Sequence, residues 1–194
     1  HKSSRGLGDV YKRQQLGYSS SGEVVQTGKG VSDFHTGDRV VSNGNHAEYV
    51  VVNQNLCTRI PDNTDIKEAS FTVLGSIALH GLRLSETSLG SKVVVIGLGI
   101  IGQLVCRLAE AQGSEVIGID PDTKRTDLSA NFYTSVEEAN MTNVDSVIIT
   151  AATSSNEPIE VATKIARNKA KIVVVGDIPL NISRNDFYLS LIHI

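Results

Sequence analysis

The chain of 194 residues is long enough for one large domain, or for one domain and part of another. Its apolar content of 40% is typical of a globular protein, and its formal net charge of −3 gives no broad electrostatic attraction to nucleic acid or to an anionic membrane. No apolar stretch approaches the ~18 residues that a transmembrane helix needs, so neither nucleic acid nor a membrane is an expected partner.

The two ends of the chain differ from its body. Segments 1–14 and 189–194 resemble translated sequencing-adapter read-through, so we leave both out of fold reasoning and expect about 15–188 to be an internal piece of a longer protein. Cys57 lies in a strand-like segment and Cys106 in a helix-like one, so we expect two buried, reduced thiols rather than a disulfide or a metal pair. This use of cysteine predicts a cytoplasmic protein.

Short strand-like segments dominate the first third of the chain. They combine β-branched residues with turn residues and predict a small β-rich lobe over 15–65, with strands at 22–25, 28–31, 37–41 and 47–52. Pro61 and Asp62 mark a turn. The apolar spacing that follows predicts a helix over about 66–85, inside a linking segment at 66–90.

A glycine-rich turn is the most informative motif. The β-branched run Val93–Ile96 leads into a G-x-G-x-x-G sequence and then into an apolar-periodic helix. In a dinucleotide site the first glycine permits the tight turn, the second lets the backbone approach a pyrophosphate, and the third lets helix and strand pack closely. The turn predicts the cofactor-binding residues Gly97, Leu98, Gly99, Ile100, Ile101 and Gly102.

The next predicted strand, 115–120, ends in Asp120, which lies 18 residues after Gly102. This spacing is typical of the carboxylate that accepts the ribose 2′-OH of a dinucleotide. Because a carboxylate repels a 2′-phosphate, Asp120 predicts NAD rather than NADP as the cofactor.

Strands and helices alternate through the rest of the chain. We predict a helix near 123–130, a short strand at Phe132-Tyr133, a strand at 146–150, a helix opening at Pro158 and a strand at 171–175, whereas 131–143 shows no clean period. This alternation predicts an α/β Rossmann domain with a doubly wound parallel sheet over 91–188. Ligands bind at the carboxyl ends of such strands, so we expect these strand-end residues to border the dinucleotide: Thr150, Ala151, Val175 and Gly176.

The order of these features resembles the medium-chain dehydrogenase/reductase superfamily, which includes zinc alcohol dehydrogenases and zinc-free quinone reductases. Gly-Asp-Arg-Val at 37–40 is followed by His-Ala-Glu-Tyr-Val-Val-Val at 46–52, and only then by the glycine-rich turn. The resemblance implies a partial GroES-like catalytic domain over 15–65. Segments 17–22, 45–48 and 151–158 look most like the dehydrogenase portion of bi-domain oxidoreductases, which carry a second, sugar-oxidoreductase-type domain.

The chain departs from the zinc members of that superfamily. Those place a His-Glu pair where this chain has Tyr18-Ser19, and a further ligand where it has Thr72. Phenol and hydroxyl groups are poor zinc ligands. The four-cysteine lobe that normally follows Gly-Asp-Arg-Val is also missing before His46. The resemblance with these departures implies neither a catalytic nor a structural zinc.

The resemblance also implies roles for side chains in the substrate pocket. His46 aligns with a side chain that faces the nicotinamide, and histidine is the commonest general acid/base; the alternative is a turn histidine bonded to the backbone. Tyr18 and Thr72 either orient a carbonyl or merely pack. Arg125 matches a basic position that some relatives use at the adenosine ribose, or it is a solvated helix charge.

These expectations together describe an NAD-dependent, zinc-independent oxidoreductase. It would transfer hydride between the nicotinamide and a small alcohol or carbonyl substrate, with a sugar-related compound as one candidate, although this piece alone is expected to be inactive. A homo-oligomer is compatible with that function. The alternatives are a zinc-dependent alcohol dehydrogenase and a non-catalytic dinucleotide-binding module.

Overall fold

A computed structural model describes residues 16–129 and 131–183. The adapter-like segments 1–14 and 189–194 lie outside these residues. The chain divides after Val73 into two compact units. Among the residues that the structure describes, no helix combines the length and the apolar character needed to cross a membrane.

The first unit contains a three-stranded antiparallel sheet. Its strands stand in the order β1-β2-β3, with β1 at Ser20–Glu23, β2 at Arg39–Ser42 and β3 at Cys57–Arg59. A short helix, α1 (Ile66–Ala69), begins after Asp65, whose carboxylate accepts hydrogen bonds from two backbone N–H groups of its first turn. The core of the unit is small and consists of Val41, Ile60 and Ala69 with Ile66 packed against them.

Two strands predicted for this unit are wrong. Segment 28–31 forms an irregular turn, and segment 47–52 belongs to no strand. Tyr49 is 71% exposed and Val51 is fully exposed. A strand needs a neighbouring backbone to satisfy its N–H and C=O groups, and none of the described strands lies beside 47–52. Its β-branched composition alone therefore does not make it a strand.

The helix predicted over 66–85 is interrupted. It consists of α1 and a longer helix, α2 (Thr72–Leu84). The Ser70 hydroxyl donates to the carbonyl of Lys67 at 2.6 Å, and the Thr72 hydroxyl donates to that of Ala69 at 2.7 Å. These side-chain bonds satisfy carbonyls that helical N–H groups would otherwise engage, so they favour a break between the two helices.

The second unit is a five-stranded parallel sheet, and it confirms the predicted Rossmann-like fold. Its strand order, β6-β5-β4-β7-β8, places the first strand of the unit in the middle. The strands are β4 (Lys92–Ile96), β5 (Glu115–Ile119), β6 (Phe132–Tyr133), β7 (Val144–Ile149) and β8 (Ala166–Val174). The helices that follow them are α3 (Ile100–Ala111), α4 (Thr123–Thr126), α5 (Val136–Ala139) and α6 (Glu157–Ile165).

Apolar side chains cover both faces of this sheet. Val93 and Val95 of β4 pack with residues of α2 and α3 on one face. Val94 and Ile96 pack with residues of α6 on the other. Because successive side chains of a strand point to opposite faces, a strand covered on both sides is apolar at every position, as β4 is from Val93 to Ile96.

Three elements of the second unit differ from their predicted bounds. The segment 131–143 contains α5, whose first turn is capped by the Ser135 hydroxyl. Helix α4 ends at Thr126 rather than near 130. Strand β8 begins at Ala166 rather than at 171, because its pairing with β7 passes through an irregularity between Val144 and Ser146. A bulge interrupts the alternation of side chains that identifies a strand in a sequence, so that alternation does not reveal the first residues of β8.

The amino ends of the strands are joined by charged side chains. Asp145 accepts the Lys92 N–H at 2.7 Å and the Arg167 Nε–H at 2.6 Å. These two donors hold the pKa of the Asp145 carboxyl below its ordinary value. Lys171 pairs with Glu86 at 3.1 Å. The contacts connect β4, β7 and β8 at the edge opposite their carboxyl ends.

Candidate dinucleotide and substrate sites

The glycine-rich loop joins the end of β4 to the start of α3. Gly97 has φ +98°, in the left-handed region, and a β-carbon there would collide with the backbone of Ala151. A β-carbon at Gly102 would collide with the carbonyl oxygen of Gly97. The turn and the close packing of helix on strand therefore require glycine at both positions.

Gly99 differs from its two neighbours. Its φ of −65° and ψ of −173° can be adopted by any residue, and a β-carbon would meet no atom within 4 Å apart from those of the adjacent residues in the chain. Gly99 is also the N-cap of α3, and no side chain caps that helix. The backbone N–H groups at such a helix terminus attract anions. The missing side chain leaves room in front of them, so this loop fits a pyrophosphate.

Leu98 is held from both sides of its backbone. Its N–H donates to Asp120 Oδ2 at 2.7 Å, and its carbonyl accepts from Gln103 Nε2 at 2.9 Å. Its side chain is fully buried. Ile100 is 54% exposed and Ile101 packs against the core on α3, so both begin the helix in the position expected of the motif.

Asp120 lies directly after β5 and is only 3% exposed. Burial acts to raise the pKa of its carboxyl, but donation from the N–H groups of Leu98 and Asp122 and from Arg125 outweighs burial and leaves the pKa below its ordinary value. The carboxylate is therefore ionised at neutral pH. It organises the loop from within and leaves little of its own surface open.

Arg125 pairs with this carboxylate. Its Nη1 lies 3.0 Å from Asp120 Oδ2, and its side chain is 48% exposed. Hydrogen bonding to Asp120 raises the pKa of the guanidinium. The two residues predicted to face the adenosine ribose are thus neighbours. The positive charge of Arg125 offsets the negative charge of Asp120, which weakens the electrostatic argument against a 2′-phosphate.

The other predicted strand ends adjoin the same loop. Thr150 Oγ1 donates to the Gly97 carbonyl at 2.6 Å. Ala151 lies between Gly97 and Gly176, so close to both that a β-carbon at either glycine would collide with its backbone. Val175 continues the pairing of β8 with β7 through its N–H, which donates to the Ile149 carbonyl at 2.8 Å. These contacts bring the carboxyl ends of β4, β7 and β8 together.

A cavity of about 430 Å³ lies beyond these strand ends. It is formed by the loops after β7 and β8 and is lined by Ala152, Thr153, Ser154, Asp177, Ile178 and Pro179. Ala152 and Asp177 belong to the strand-end segments that the sequence predicts at the dinucleotide, whereas Thr153, Ser154, Ile178 and Pro179 were not predicted. Followed one or two residues further along each loop, the rule that ligands bind beyond the carboxyl ends of parallel strands finds these residues as well.

In the first unit His46 is exposed and is held by its backbone. Its N–H donates to the Leu16 carbonyl at 2.7 Å. A β-carbon at Gly17, which has φ +68°, would collide with the imidazole, so only glycine lets the ring lie there. The side chain lines a cavity of about 680 Å³ together with Leu16, the 43–45 turn, Ala47, residues 49–53 and Leu56.

Tyr18 and Thr72 occupy neighbouring segments of the first unit. Tyr18 is 54% exposed, and the hydroxyl of the adjacent Ser19 donates to the carbonyl of Ser70, two residues before Thr72. The Thr72 hydroxyl donates to Ala69, so its lone pairs remain for a further contact.

No three His, Cys, Asp or Glu side chains come together as a metal-ligating group within residues 16–129 and 131–183. The absence of zinc stays a prediction. Cys57 and Cys106 are both free thiols; Cys106 is buried as expected, but the expected burial of Cys57 is wrong, because it is only half-buried. Burial, with a smaller contribution from Glu110, raises the pKa of the Cys106 thiol to about 12.

Comparison with known families gives an independent view of both units. Residues 7–62 match the alcohol dehydrogenase GroES-like domain, and residues 72–184 match the NAD binding domain of D-isomer specific 2-hydroxyacid dehydrogenases. The chain belongs to the medium-chain dehydrogenase/reductase superfamily. Within this superfamily the glycine-rich loop of the second unit belongs to the NAD-binding domain.

Two curated relatives show which kinds of dehydrogenase this chain is similar to. D-guloside 3-dehydrogenase of Escherichia coli K12 is 34% identical over 126 residues, which cover 63% of this chain and 36% of the relative. Sorbitol dehydrogenase of Bos taurus is 27% identical over 192 residues, which cover 82% of this chain and 51% of the relative. The chain thus spans about half, or less, of the length of these relatives.

Solved structures share the fold. 2R,3R-butanediol dehydrogenase from Bacillus subtilis is similar with a TM-score of 0.76 and 23% identity, covering 90% of this chain and 62% of that one. A zinc-binding dehydrogenase from Sinorhizobium meliloti, bound to NADP, has a TM-score of 0.79 and 24% identity, covering 90% and 65%. At these identities the similarity shows a common fold.

Proposed function

We propose that the intact protein is an NAD-dependent oxidoreductase that transfers hydride between the nicotinamide and an alcohol or carbonyl group of a small substrate. The open space in front of Gly99, at an uncapped helix N-terminus beside Asp120 and Arg125, is the observation that carries this proposal. The nicotinamide supplies the hydride chemistry. In this proposal the loop N–H groups bind the pyrophosphate, and the ribose lies at the Asp120–Arg125 pair, in which Arg125 is the exposed partner.

A polyol or a sugar derivative is the substrate class that we propose. The names of two relatives, a D-guloside dehydrogenase and a sorbitol dehydrogenase, support it. The segments that look like bi-domain oxidoreductases point in the same direction. A cytoplasmic location is part of the same proposal.

His46 is the residue that we propose to move a proton or to orient the substrate. Its main chain is held by Leu16, its ring lies against Gly17, and its side chain lines the cavity of the first unit. An imidazole at a cavity suits general acid/base work. Tyr18 and Thr72 are secondary candidates, because Thr72 already donates its hydroxyl proton to Ala69.

NAD preference and zinc independence are the finer parts of the proposal. The Asp120 carboxylate favours NAD, and Arg125 reduces but does not remove that preference. Tyr18 and Thr72 stand at two positions that hold ligands in zinc members, and neither side chain is a good zinc ligand. We therefore expect proton transfer to depend on side chains or water.

The test uses the intact protein, purified without added metal. NAD and NADP binding are measured by calorimetry on the wild type and on Asp120→Ala. Cofactor reduction is then followed with a panel of polyols, glycosides and simple alcohols. Turnover with NAD supports the proposal, whereas tight NAD binding without turnover of any substrate supports a non-catalytic module. Near-stoichiometric zinc by elemental analysis would overturn zinc independence, and equal affinities for NAD and NADP would overturn the cofactor preference.

A further inference from the structure

An asparagine beside the 430 Å³ cavity bonds to an unusual partner. Asn156 is the N-cap of α6, where an asparagine side chain ordinarily accepts a hydrogen bond from its own helix. Here the side chain makes no capping bond. Its Oδ1 accepts the Asn181 N–H at 3.1 Å, and its Nδ2 donates to the Asn181 carbonyl at 2.9 Å and to Glu160 Oε1 at 3.4 Å. One amide therefore satisfies both main-chain groups of a residue in the segment after β8.

The two loops that form the cavity are joined at a second point. The Thr153 N–H donates to the Asp177 carbonyl at 3.0 Å. Residues 178–180 thus lie between two attachments, one at Asp177 and one at Asn181. Beyond Ile178, Leu180 is 61% exposed and Ile182 is 42% exposed, so apolar burial does little to hold this part of the segment. Within the described residues, the bonds from Asn156 attach this segment at Asn181.

The topology relates this cavity to the dinucleotide. Gly99 follows β4 in the middle of the sheet, and Asp120 and Arg125 follow β5 on one side of it. A dinucleotide with its pyrophosphate at Gly99 and its adenosine ribose at Asp120 extends its other half towards the carboxyl ends of β7 and β8. The loops after those two strands form the cavity.

We propose that Asn156 is a positioning residue for the nicotinamide half of the cofactor, because its bonds to Asn181 hold the segment whose residues 177–179 line the cavity. This inference rests on the proposed function, since it assumes a nicotinamide dinucleotide in the site. The role of Asn156 is indirect. It acts through the backbone of Asn181, and the adenosine half of the cofactor does not depend on it.

A pair of ligands and a matched pair of variants test this role in the intact protein. ADP-ribose carries the adenosine half and the pyrophosphate of NAD without the nicotinamide ring. Asn156→Ala removes both bonds to the 181 backbone. Asn181→Ala keeps these bonds, because the atoms of residue 181 that Asn156 contacts belong to the main chain. Calorimetric dissociation constants and thermal unfolding are measured for every variant.

We expect Asn156→Ala to weaken NAD binding about fivefold to tenfold, the scale of one or two lost hydrogen bonds. ADP-ribose affinity should change by less than about twofold, and Asn181→Ala should match the wild type with both ligands. Asn156→Asp keeps the acceptor for the Asn181 N–H, but it turns a carboxylate oxygen towards the Asn181 carbonyl and the Glu160 carboxylate. It should therefore weaken NAD binding at least as much as Asn156→Ala, and it replaces that variant if Asn156→Ala does not fold.

Several outcomes would overturn the inference. Equal weakening of NAD and ADP-ribose would mean that Asn156 supports the whole domain rather than the nicotinamide wall. Unchanged NAD affinity in Asn156→Ala would mean that the segment keeps its position without these bonds, while the proposed function would stand. A wild-type protein that binds neither ligand would overturn the proposed function, and this inference with it.

Discussion

Gly99 and Gly102 stand three residues apart in the same loop, yet their replacement by alanine should change different properties. The Gly99 substitution should weaken NAD binding, and the Gly102 substitution should destabilise the fold. At Gly99 the added methyl group meets no protein atom within 4 Å, and the φ of −65° suits alanine. Exchanging glycine for alanine at an N-cap costs less than about 1 kcal/mol, which for a chain of this size shifts the melting temperature by at most about 4 °C. The methyl group occupies the space proposed for the pyrophosphate. NAD affinity should therefore fall at least about tenfold, or ~1.4 kcal/mol.

At Gly102 the same methyl group has no room. It would collide with the Gly97 carbonyl oxygen and would lie 2.8 Å from Thr150 Oγ1. Overpacking of this kind costs about 1–3 kcal/mol, so Gly102→Ala should lower the unfolding free energy of the apo protein clearly more than Gly99→Ala does.

The assay is thermal unfolding and NAD calorimetry on the intact wild type and on both variants. Wild-type NAD affinity in Gly99→Ala would refute the approach of the pyrophosphate at this residue. Equal destabilisation by the two substitutions would refute the geometry of the loop.

Three further predictions concern single side chains. Asp120→Asn should lower the unfolding free energy by about 1–3 kcal/mol at neutral pH. Because the pKa of Asp120 is lower in the folded than in the unfolded protein, the carboxylate stabilises the fold above its unfolded pKa, and this stabilisation disappears as the pH falls through its folded pKa. Denaturation curves of the wild type and the variant should therefore converge in acid. In the folded protein a thiol reagent should label Cys57 well before the buried Cys106, as peptide mass spectrometry would show. His46→Asn should lower kcat by about 10²-fold or more with NAD affinity unchanged; a loss under about threefold would return the role to Tyr18 or Thr72.

The second unit could be predicted well from its sequence, because its elements carry local signals. Strand β4 is apolar at consecutive positions, the glycine turn follows it, and α3 has a single apolar face. Helix α5 also had a signal that was overlooked. Ser135 and Glu138 match the S-x-x-E pattern of a helix start: Ser135 accepts the Glu138 N–H at 3.2 Å, and the Glu138 carboxylate accepts the N–H of Thr134, one residue before the N-cap, at 2.8 Å.

The features that escaped prediction depend on partners distant in sequence. Segment 47–52 has a strand-like composition, but a strand forms only with a neighbouring backbone. The ion pair between Asp120 and Arg125 and the clamp from Asn156 to Asn181 likewise require the folded positions of loops that the sequence does not specify. Sequence patterns indicate which residues are available at the strand ends, and tertiary structure decides which of them meet.

The charged contacts at the amino edge of the parallel sheet have a practical consequence for protein engineering. Asp145, Arg167, Lys171 and Glu86 connect the strands at the end of the sheet farthest from the glycine-rich loop. Natural proteins usually lose activity when a flexible or strained active site is made more stable. Because this edge shares no side chain with the cofactor loop, it is the place to introduce thermostabilising substitutions without altering cofactor affinity.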